Sequence, residues 1–151
     1  MILATLCYIK NEGKTLMLHR TKKKNDIHQG KWVGLGGKFE QGETPEACVI
    51  REVKEESGLT IVNPRLCGVI VFSALKGKDW LVFVFTARDF NGNIIDSPEG
   101  HLQWFPDEEL LSLDIWEDDR IFLPWLDQDK VFSAKFLNKN DRYVSHTVRF
   151  Y

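Results

Sequence analysis

The chain lacks the features that would place it in a membrane or send it for export. No apolar run approaches the roughly 18 residues that a membrane-spanning helix needs. The N-terminal segment MILATLCYIKNEGK has no basic region ahead of its apolar residues, so it is typical of a strand and not of a secretion signal. The sequence also contains no repeat, low-complexity tract or linker. We therefore expect its 151 residues to form a single domain, residues 1–151, with a sizeable core.

Cysteine is scarce. The three cysteines, Cys7, Cys48 and Cys67, are odd in number, and their spacing fits no zinc motif. Reduced thiols in the cytosol are the default for such a chain, so we predict a cytoplasmic protein. Cys48 could lie at the edge of a site, but we interpret it as a small packing residue.

An excess of positive charge is also missing. The formal net charge is −2, whereas bulk nucleic-acid binding favours strongly basic surfaces. Hydrophobic residues at 43% and aromatic residues at 12% are ordinary for a globular protein. We therefore expect no nucleic-acid partner of that kind and no membrane partner.

The order of the predicted elements indicates the fold class. Patterns of apolar and turn residues predict strands at 2–10 and 15–20, a polar loop at 21–31, β-rich runs at 61–73 and 80–89, a short strand at 102–105, helical segments at 107–111 and 117–126, and a closing hairpin from 130–137 and 143–151. Because strands precede and follow the helical segments, we expect an α/β protein with a mixed β-sheet and helices on both faces.

The most informative stretch is GKFEQGETPEACVIREVKEESGL, residues 37–59. If residues 44–57 form a helix, Glu52, Glu55 and Glu56 fall within an arc of about 100° on one side. Carboxylates placed together repel each other, so the arrangement makes sense if hard divalent cations, Mg²⁺ or Mn²⁺, lie in front of it. The alternative interpretation is a solvated acidic helix face.

The residues around this helix predict how it begins and ends. Thr44 is a good N-cap, Pro45 suits the first helical position, and Gly58 suits the residue that turns the chain out of the helix. Gly36 and Gly37 would let the backbone approach a ligand or a metal and expose a carbonyl group.

The stretch fits the Nudix pattern G-x5-E-x7-R-E-U-x-E-E-x-G-U, where U is aliphatic, at every fixed position. The matching residues are Gly37, Glu43, Arg51, Glu52, Val53, Glu55, Glu56, Gly58 and Leu59. The chain therefore resembles a Nudix hydrolase. The resemblance implies an α/β/α sandwich and Mg²⁺-dependent cleavage of a nucleoside diphosphate linked to another group, with Mn²⁺ as a substitute ion.

The resemblance also implies roles for individual residues. The catalytic set would be Glu52, Glu55 and Arg51, and the metal-binding set Gly36, Gly37, Glu52, Glu55, Glu56 and Glu99. We expect Arg51 to act structurally, by holding the loop against the helix through a charge-assisted pair with Glu43. Glu99 could instead be an ordinary turn glutamate. Which glutamate acts as the general base, and how many ions bind, stays open.

A second resemblance concerns the base. Residues 31–38 (KWVGLGGK) and 114–136 (DIWEDDRIFLPWLDQDKVFSAKF) are similar to segments of the MutT-type oxidised-purine nucleoside triphosphatases of animals. The resemblance implies that Trp116, Asp118 and Asp119 recognise the purine, by stacking on the indole and by hydrogen bonds to the carboxyl groups. The alternative is a helix start, with acids at its N-terminus and a core tryptophan.

The same resemblance puts five further residues near the ligand: Thr5, Arg20, Leu35, Lys38 and Phe72. Each has an ordinary alternative as a strand or surface residue. The chain departs from the animal enzymes at Val33, where they carry an asparagine that contacts the base, and in its longer loop at 21–31. Both departures put a preference for 8-oxoguanine in question. The lysines at 22–24 are interpreted as part of a solvated loop and not as a phosphate clamp.

The leading hypothesis is an Mg²⁺-dependent pyrophosphohydrolase that converts purine nucleoside triphosphates to a monophosphate and pyrophosphate. Oxidised purine nucleotides are one group of substrates that this hypothesis allows. It would act on its nucleotide substrate as a monomer or homodimer. The first alternative is a broader Nudix hydrolase of ADP-ribose, dinucleoside polyphosphates or capped RNA. The second is a non-catalytic nucleotide sensor, which would not need to keep the arginine and all three glutamates of the helix.

Overall fold

The computed structural model describes residues 1–22 and 26–151. Within these residues the strands are β1 (Ile2–Asn11), β2 (Lys14–Arg20), β3 (Trp32–Val33), β4 (Thr60–Val62), β5 (Arg65–Leu75), β6 (Lys78–Ala87), β7 (Asp89–Asn91), β8 (Gly100–Pro106), β9 (Phe132–Lys139) and β10 (Arg142–Phe150). The α-helices are α1 (Pro45–Ser57) and α2 (Glu117–Phe122), and 3₁₀ segments cover Asp107–Ser112 and Leu123–Asp127. No described helix is long and apolar enough to cross a membrane.

Eight of the strands form one mixed sheet in the order β10-β9-β5-β6-β1-β2-β3, and β8 pairs with β2 along its whole length, Lys14–Arg20. The pairs β1–β6 and β5–β9 are parallel, and the remaining pairs are antiparallel. Strands β4 and β7 form a separate two-stranded ribbon. The predicted mixed sheet is therefore confirmed.

Alternation along β1 explains how the sheet acquires a layer on each face. Cys7 and Ile9 point into one apolar cluster, where Val49 and Val53 of α1 pack against them. Tyr8 points into a second cluster on the opposite face, which is completed by apolar residues of the segments between 110 and 126. The result is the α/β sandwich with helices on both faces that the sequence predicts.

The predicted elements differ from the observed ones mainly where proline intervenes. The run at 61–73 is two strands, because the chain turns at Asn63, with φ +49°, just before Pro64. The predicted helix at 117–126 divides after Phe122, because Pro124 has no N–H to donate to an α-helical hydrogen bond. The closing hairpin is confirmed as β9 and β10.

Helix α1 begins and ends as predicted. The Thr44 hydroxyl accepts a hydrogen bond of 3.1 Å from the N–H of Ala47, and Pro45 occupies the first turn. Gly58 adopts the left-handed conformation, with φ +81°, and its N–H donates to the Lys54 carbonyl. A side chain at Gly58 would also collide with the backbone of Asn93, so glycine is required at this end.

Thr44→Ala removes the N-terminal cap. We expect it to lower the free energy of unfolding by about 1 kcal/mol, equivalent to roughly 2–4 °C in Tm for a chain of this size. Urea unfolding followed by circular dichroism measures the change. Thr44→Ser keeps an acceptor oxygen and should stay within about 0.5 kcal/mol of the wild type; equal losses in both variants would show that the cap contributes nothing.

Candidate active site

A cavity of about 800 Å³ opens between the sheet, α1 and α2. Most of the residues selected from the sequence line it: Thr5, Arg20, Gly36, Gly37, Lys38, Glu52, Phe72, Glu99, Trp116, Asp118 and Asp119. Glu55 and Glu56 flank this set on α1. The cavity has an acidic end at α1 and an aromatic end at α2.

At the acidic end, the loop of residues 34–38 (the glycine loop) lies between β1 and α1. It is fixed to β1 by backbone bonds between Cys7 and Leu35 and by the Thr5 N–H, which donates to the Gly37 carbonyl at 2.9 Å. A Cβ atom at Gly37 would lie 2.5 Å from Oε2 of Glu52. Only glycine therefore allows the loop to lie so close to the carboxylates. The Thr5 N–H uses one of the two lone pairs of the Gly37 carbonyl, so Gly36 and Gly37 both stay candidates for offering a carbonyl oxygen to a ligand.

Glu56 is the most enclosed carboxylate of the helix, with 3% of its surface exposed. Its Oε1 accepts a 2.7 Å hydrogen bond from the Gly36 N–H. Its Oε2 is buried and has no hydrogen-bond donor among the described residues. Burial raises the pKa of Glu56 well above its usual value, and the neighbouring Glu99 carboxyl raises it further.

Arg51 joins the glycine loop to the helix. Its guanidinium donates to both carboxylate oxygens of Glu43, at 2.7 and 3.0 Å, and to the Lys38 carbonyl at 3.0 Å. These hydrogen bonds hold the pKa of Glu43 at about 2. The predicted structural pair is confirmed.

Arg51 also contacts the catalytic candidates, which the sequence did not predict. Its Nη1 lies 2.9 Å from Glu52 and 3.3 Å from Glu55. The repulsion expected on this helix face is thus relieved by a cation of the chain itself, while burial raises the pKa of Glu52. No compact group of three metal-ligating side chains is preformed in the part of the chain that the structure describes. Glu55 is exposed, so its side chain can turn away from Arg51 at little cost.

Glu99 reaches this end from the loop before β8. Its Oε2 lies 3.2 Å from Nη1 of Arg20, and Arg20 donates through Nε to Asp26 at 2.9 Å. Arg20, expected near the ligand, therefore anchors the Glu99 loop.

The donor chemistry of the acidic end suits a hard divalent cation. It consists of carboxylate oxygens and a glycine backbone, without histidine or thiolate. The Glu56 Oε2 is buried without a donor among the described residues, and Glu56 interacts with the nearby Glu99 carboxyl group, so a cation there would offset the repulsion between the two carboxylates. The residues present therefore fit a divalent metal ion.

At the aromatic end, Trp116 is held by His28. The indole N–H donates to Nδ1 of His28 at 2.8 Å, and the two rings meet edge to face. Burial lowers the pKa of His28 to about 4, so the ring is neutral near pH 7 and can accept this bond. Lys31 lies 5.2 Å from the centre of the indole. Sequence reasoning missed His28, because the loop at 21–31 shows only polarity and length.

Asp118 and Asp119 lie beside Trp116 and line the same cavity. Burial raises the pKa of Asp118, and burial together with the charge of Asp118 raises the pKa of Asp119 to about 8. Asp119 is therefore mainly protonated near pH 7, so this pair can both donate and accept hydrogen bonds. Asn138 of β9 also lines the cavity and was missed as well. The signal was present, since the alternation of β9 points Asn138 the same way as the buried Phe132, Ala134 and Phe136.

Some predicted residues have other surroundings. The Leu35 side chain is fully buried in the core beside α1, while its neighbours Gly34 and Gly36 line the cavity, so its expected place near the ligand stays a prediction. Cys48 is buried against Thr5, as expected for a packing residue. Lys22 pairs with Asp96 at 2.6 Å, and the other two lysines of the predicted solvated run lie outside the described residues.

The walls of the cavity account for the remaining predicted residues. Phe72 is 8% exposed and packs against Phe136. Lys38 places its Nζ 5.4 Å from the centre of the Trp80 ring. Val33, the position of the departure from the animal enzymes, lies in the wall with 8% of its surface exposed.

Comparisons with known proteins agree with this geometry. Residues 2–126 match the NUDIX domain family. The chain is 34% identical over 148 residues to an oxidized purine nucleoside triphosphate hydrolase of Danio rerio, covering 97% of this chain and 93% of that protein. It is 35% identical over 127 residues to the uncharacterized Nudix hydrolase YvcI of Bacillus subtilis, covering 81% and 77%. A MutT protein of Bacillus halodurans superposes with a TM-score of 0.86 at 31% identity, covering 98% of this chain and 97% of that one.

The raised pKa of Asp119 predicts a pH-dependent effect on stability. The folded chain holds this proton up to about pH 8, whereas the unfolded chain releases it near 3.8. The stability associated with the proton is therefore complete below that lower value and is lost as pH rises through this range. Asp119→Asn has no carboxyl group to titrate at this position, so it should not share this loss of stability. The difference in Tm, variant minus wild type, should therefore be larger at pH 8 than at pH 5 by roughly 2–4 °C or more.

Thermal melting at both pH values measures that difference. Glu117→Gln is the matched control, because it neutralises an exposed acid on the same helix. A Tm difference for Asp119→Asn that does not depend on pH would contradict the interpretation of this carboxyl group as a protonated one.

Proposed function

The chain belongs to the Nudix family of hydrolases, of the MutT type, and we propose that it is a divalent-metal-dependent pyrophosphohydrolase of purine nucleoside triphosphates. The products would be a nucleoside monophosphate and pyrophosphate. The ion would be Mg²⁺, with Mn²⁺ as a substitute.

One observation carries the proposal: the acidic end and the aromatic end belong to a single cavity. At about 800 Å³ it is large enough for a nucleotide. A triphosphate at the glycine loop would leave its base directed towards Trp116. Metal chemistry and base recognition can then act on one substrate.

The residues of the acidic end would divide the work. Glu52, Glu55, Glu56 and Glu99 would hold the metal, together with the carbonyl group of Gly36 or Gly37. Bound there, a divalent ion would neutralise phosphate charge and lower the pKa of a bound water. Arg51 would position Glu52 and Glu55, which it contacts. Glu52 and Glu55 are the candidates for the general base, and both contact Arg51.

The aromatic end supports a purine. Trp116 offers an indole face, and its bond to His28 fixes the plane of the ring. When only Asp119 is protonated, Asp118 offers a hydrogen-bond acceptor and Asp119 offers a donor. Relatives named for oxidised purine nucleoside triphosphates support such a substrate, while Val33 argues for weak discrimination between oxidised and normal bases.

A cytoplasmic location and a single-domain chain acting as a monomer or homodimer belong to the same proposal. The three free, buried thiols support a reducing compartment.

The metal end is tested by the double variant Glu55→Gln, Glu56→Gln. The amide oxygen that Glu56→Gln introduces would still accept the hydrogen bond from Gly36, so the fold should persist. We expect kcat/KM to fall by more than the roughly 10–100-fold typical of losing an outer-sphere partner. EDTA should silence the wild type, and Mg²⁺ should restore it.

Glu46→Gln provides the matched control, because Glu46 is exposed in the first turn of the same helix. It should retain wild-type activity. Normal Mg²⁺-dependent turnover by the double variant, or full wild-type activity in EDTA, would overturn the metal assignment.

The base end is tested with Trp116→Ala, Asp118→Ala and Asp119→Ala. Loss of the stacking indole should cost on the order of 1–3 kcal/mol. That cost should appear mainly in KM, because stacking is expected to be equal in the ground and transition states. The aspartate variants should instead change the ratio of kcat/KM between guanine and adenine nucleotides.

The assay uses dGTP, 8-oxo-dGTP, dATP and ADP-ribose, with product analysis. Val33→Asn should increase the ratio of 8-oxo-dGTP to dGTP turnover. If the three base-end variants leave the substrate profile unchanged, the base is recognised elsewhere, and the broader hydrolase of ADP-ribose, dinucleoside polyphosphates or capped RNA becomes the better hypothesis.

A further inference from the structure

Asn138 is a buried amide whose donors the folded chain uses only in part. Only 4% of its surface is exposed, and its Nδ2 has no partner at full hydrogen-bond geometry among the described residues, although the side chain interacts with the Asp118 carboxyl group. The NH₂ group carries two N–H donors, and a buried donor that is left unpaired is costly, so packing alone does not explain an amide at this position. The side chain lines the cavity, where a ligand could supply the missing acceptor.

The position of Asn138 in β9 places it at the aromatic end. Along this strand the inward-facing residues are Phe132, Ala134, Phe136 and then Asn138, so the amide stands where the apolar series ends. One N–H of Asn138 faces Asp118, where hydrogen bonding lowers the pKa of that carboxyl group and offsets part of the effect of burial; the second N–H can then reach a ligand. Asp119 and Trp116 line the same cavity.

The acid pair alone does not distinguish the two purines. One ionised and one protonated carboxyl group can pair with the N6–H and N1 of adenine, or with the N1–H and O6 of guanine. An additional N–H donor adds a favourable contact only for a base that carries a carbonyl oxygen. For adenine the same donor would face an amino group and stay unpaired, which penalises that base.

We propose that Asn138 is a specificity-determining residue whose Nδ2 donates a hydrogen bond to the O6 carbonyl of a 6-oxopurine held between Trp116 and the Asp118–Asp119 pair. This inference rests on the proposed function and goes beyond it, since it selects guanine and hypoxanthine nucleotides over adenine nucleotides. Val33 in the wall of the same cavity cannot hydrogen-bond through its side chain, so Asn138 would provide an amide that this part of the wall lacks.

The test compares wild type with Asn138→Leu, which keeps a side chain of similar size and removes the donor. The substrates are dGTP, dITP and dATP with Mg²⁺. Because dITP keeps O6 and lacks the 2-amino group, it separates recognition of O6 from recognition of the amino group. The ratios of kcat/KM for dGTP and for dITP over dATP should both fall about tenfold, the effect of one neutral hydrogen bond.

Leu137→Asn is the control, because it places an amide on the exposed face of the same strand. It should leave both ratios unchanged. Asn138→Ala provides a second donor-free variant if leucine does not fit, and thermal melting checks that each variant folds. An equal loss on all three substrates would show that Asn138 only supports the structure, and unchanged ratios would show that the base does not reach it.

Calorimetry with dGMP, dIMP and dAMP separates this inference from the proposed function. If the wild type hydrolyses none of the triphosphates, the proposed function fails. The inference would still stand if dGMP and dIMP bind the wild type about tenfold more tightly, relative to dAMP, than they bind Asn138→Leu. Absence of any monophosphate binding, or an unchanged ratio of affinities, would overturn it.

Discussion

The site depends on the close contact between the glycine loop and helix α1. Gly37 allows the loop to touch Glu52, the Gly36 N–H holds Glu56, and Arg51 ties the helix to Glu43 and to the Lys38 carbonyl. Each contact requires a specific residue type, because a side chain at either glycine would collide with its neighbours. The residues of this sequence pattern are therefore required by the packing of the loop against the helix. The same packing fixes the positions of the carboxylates.

Two acids with raised pKa values lie at the two ends of the cavity. Burial raises the pKa of Glu56, whose Oε2 has no hydrogen-bond donor among the described residues, and burial together with the charge of Asp118 raises the pKa of Asp119. Apolar residues of similar volume would pack there at lower cost. Strongly perturbed carboxyl groups at both ends of one cavity are what a ligand with metal-bound phosphates at one end and hydrogen-bonding groups at the other would require.

The sequence predicted the elements whose signals are local. The caps of α1, the pair between Glu43 and Arg51 and the hairpin of β9 and β10 follow from neighbouring residues, and all are observed. It could not predict that Arg51 also lies between Glu52 and Glu55, because that depends on side-chain conformations. His28 was missed because it reaches the cavity from a distant segment that only the tertiary fold brings close, whereas Asn138 could have been found from the alternation of β9.

A continuous series of polar contacts connects the two ends of the cavity. Glu99 pairs with Arg20, and Arg20 pairs with Asp26. The Asp26 carboxylate accepts the backbone N–H of His28, and the His28 ring accepts the indole N–H of Trp116 through Nδ1. Every link is a hydrogen bond or ion pair in a partly buried setting, where such contacts are screened less than at the surface. Asp26 and His28, from a loop that on sequence alone is only a longer polar segment, thus connect Arg20 and the Glu99 carboxylate to the Trp116 indole. A substrate that reaches from one end of the cavity to the other would meet two ends whose relative positions these contacts already fix. Binding would then require less ordering of the protein.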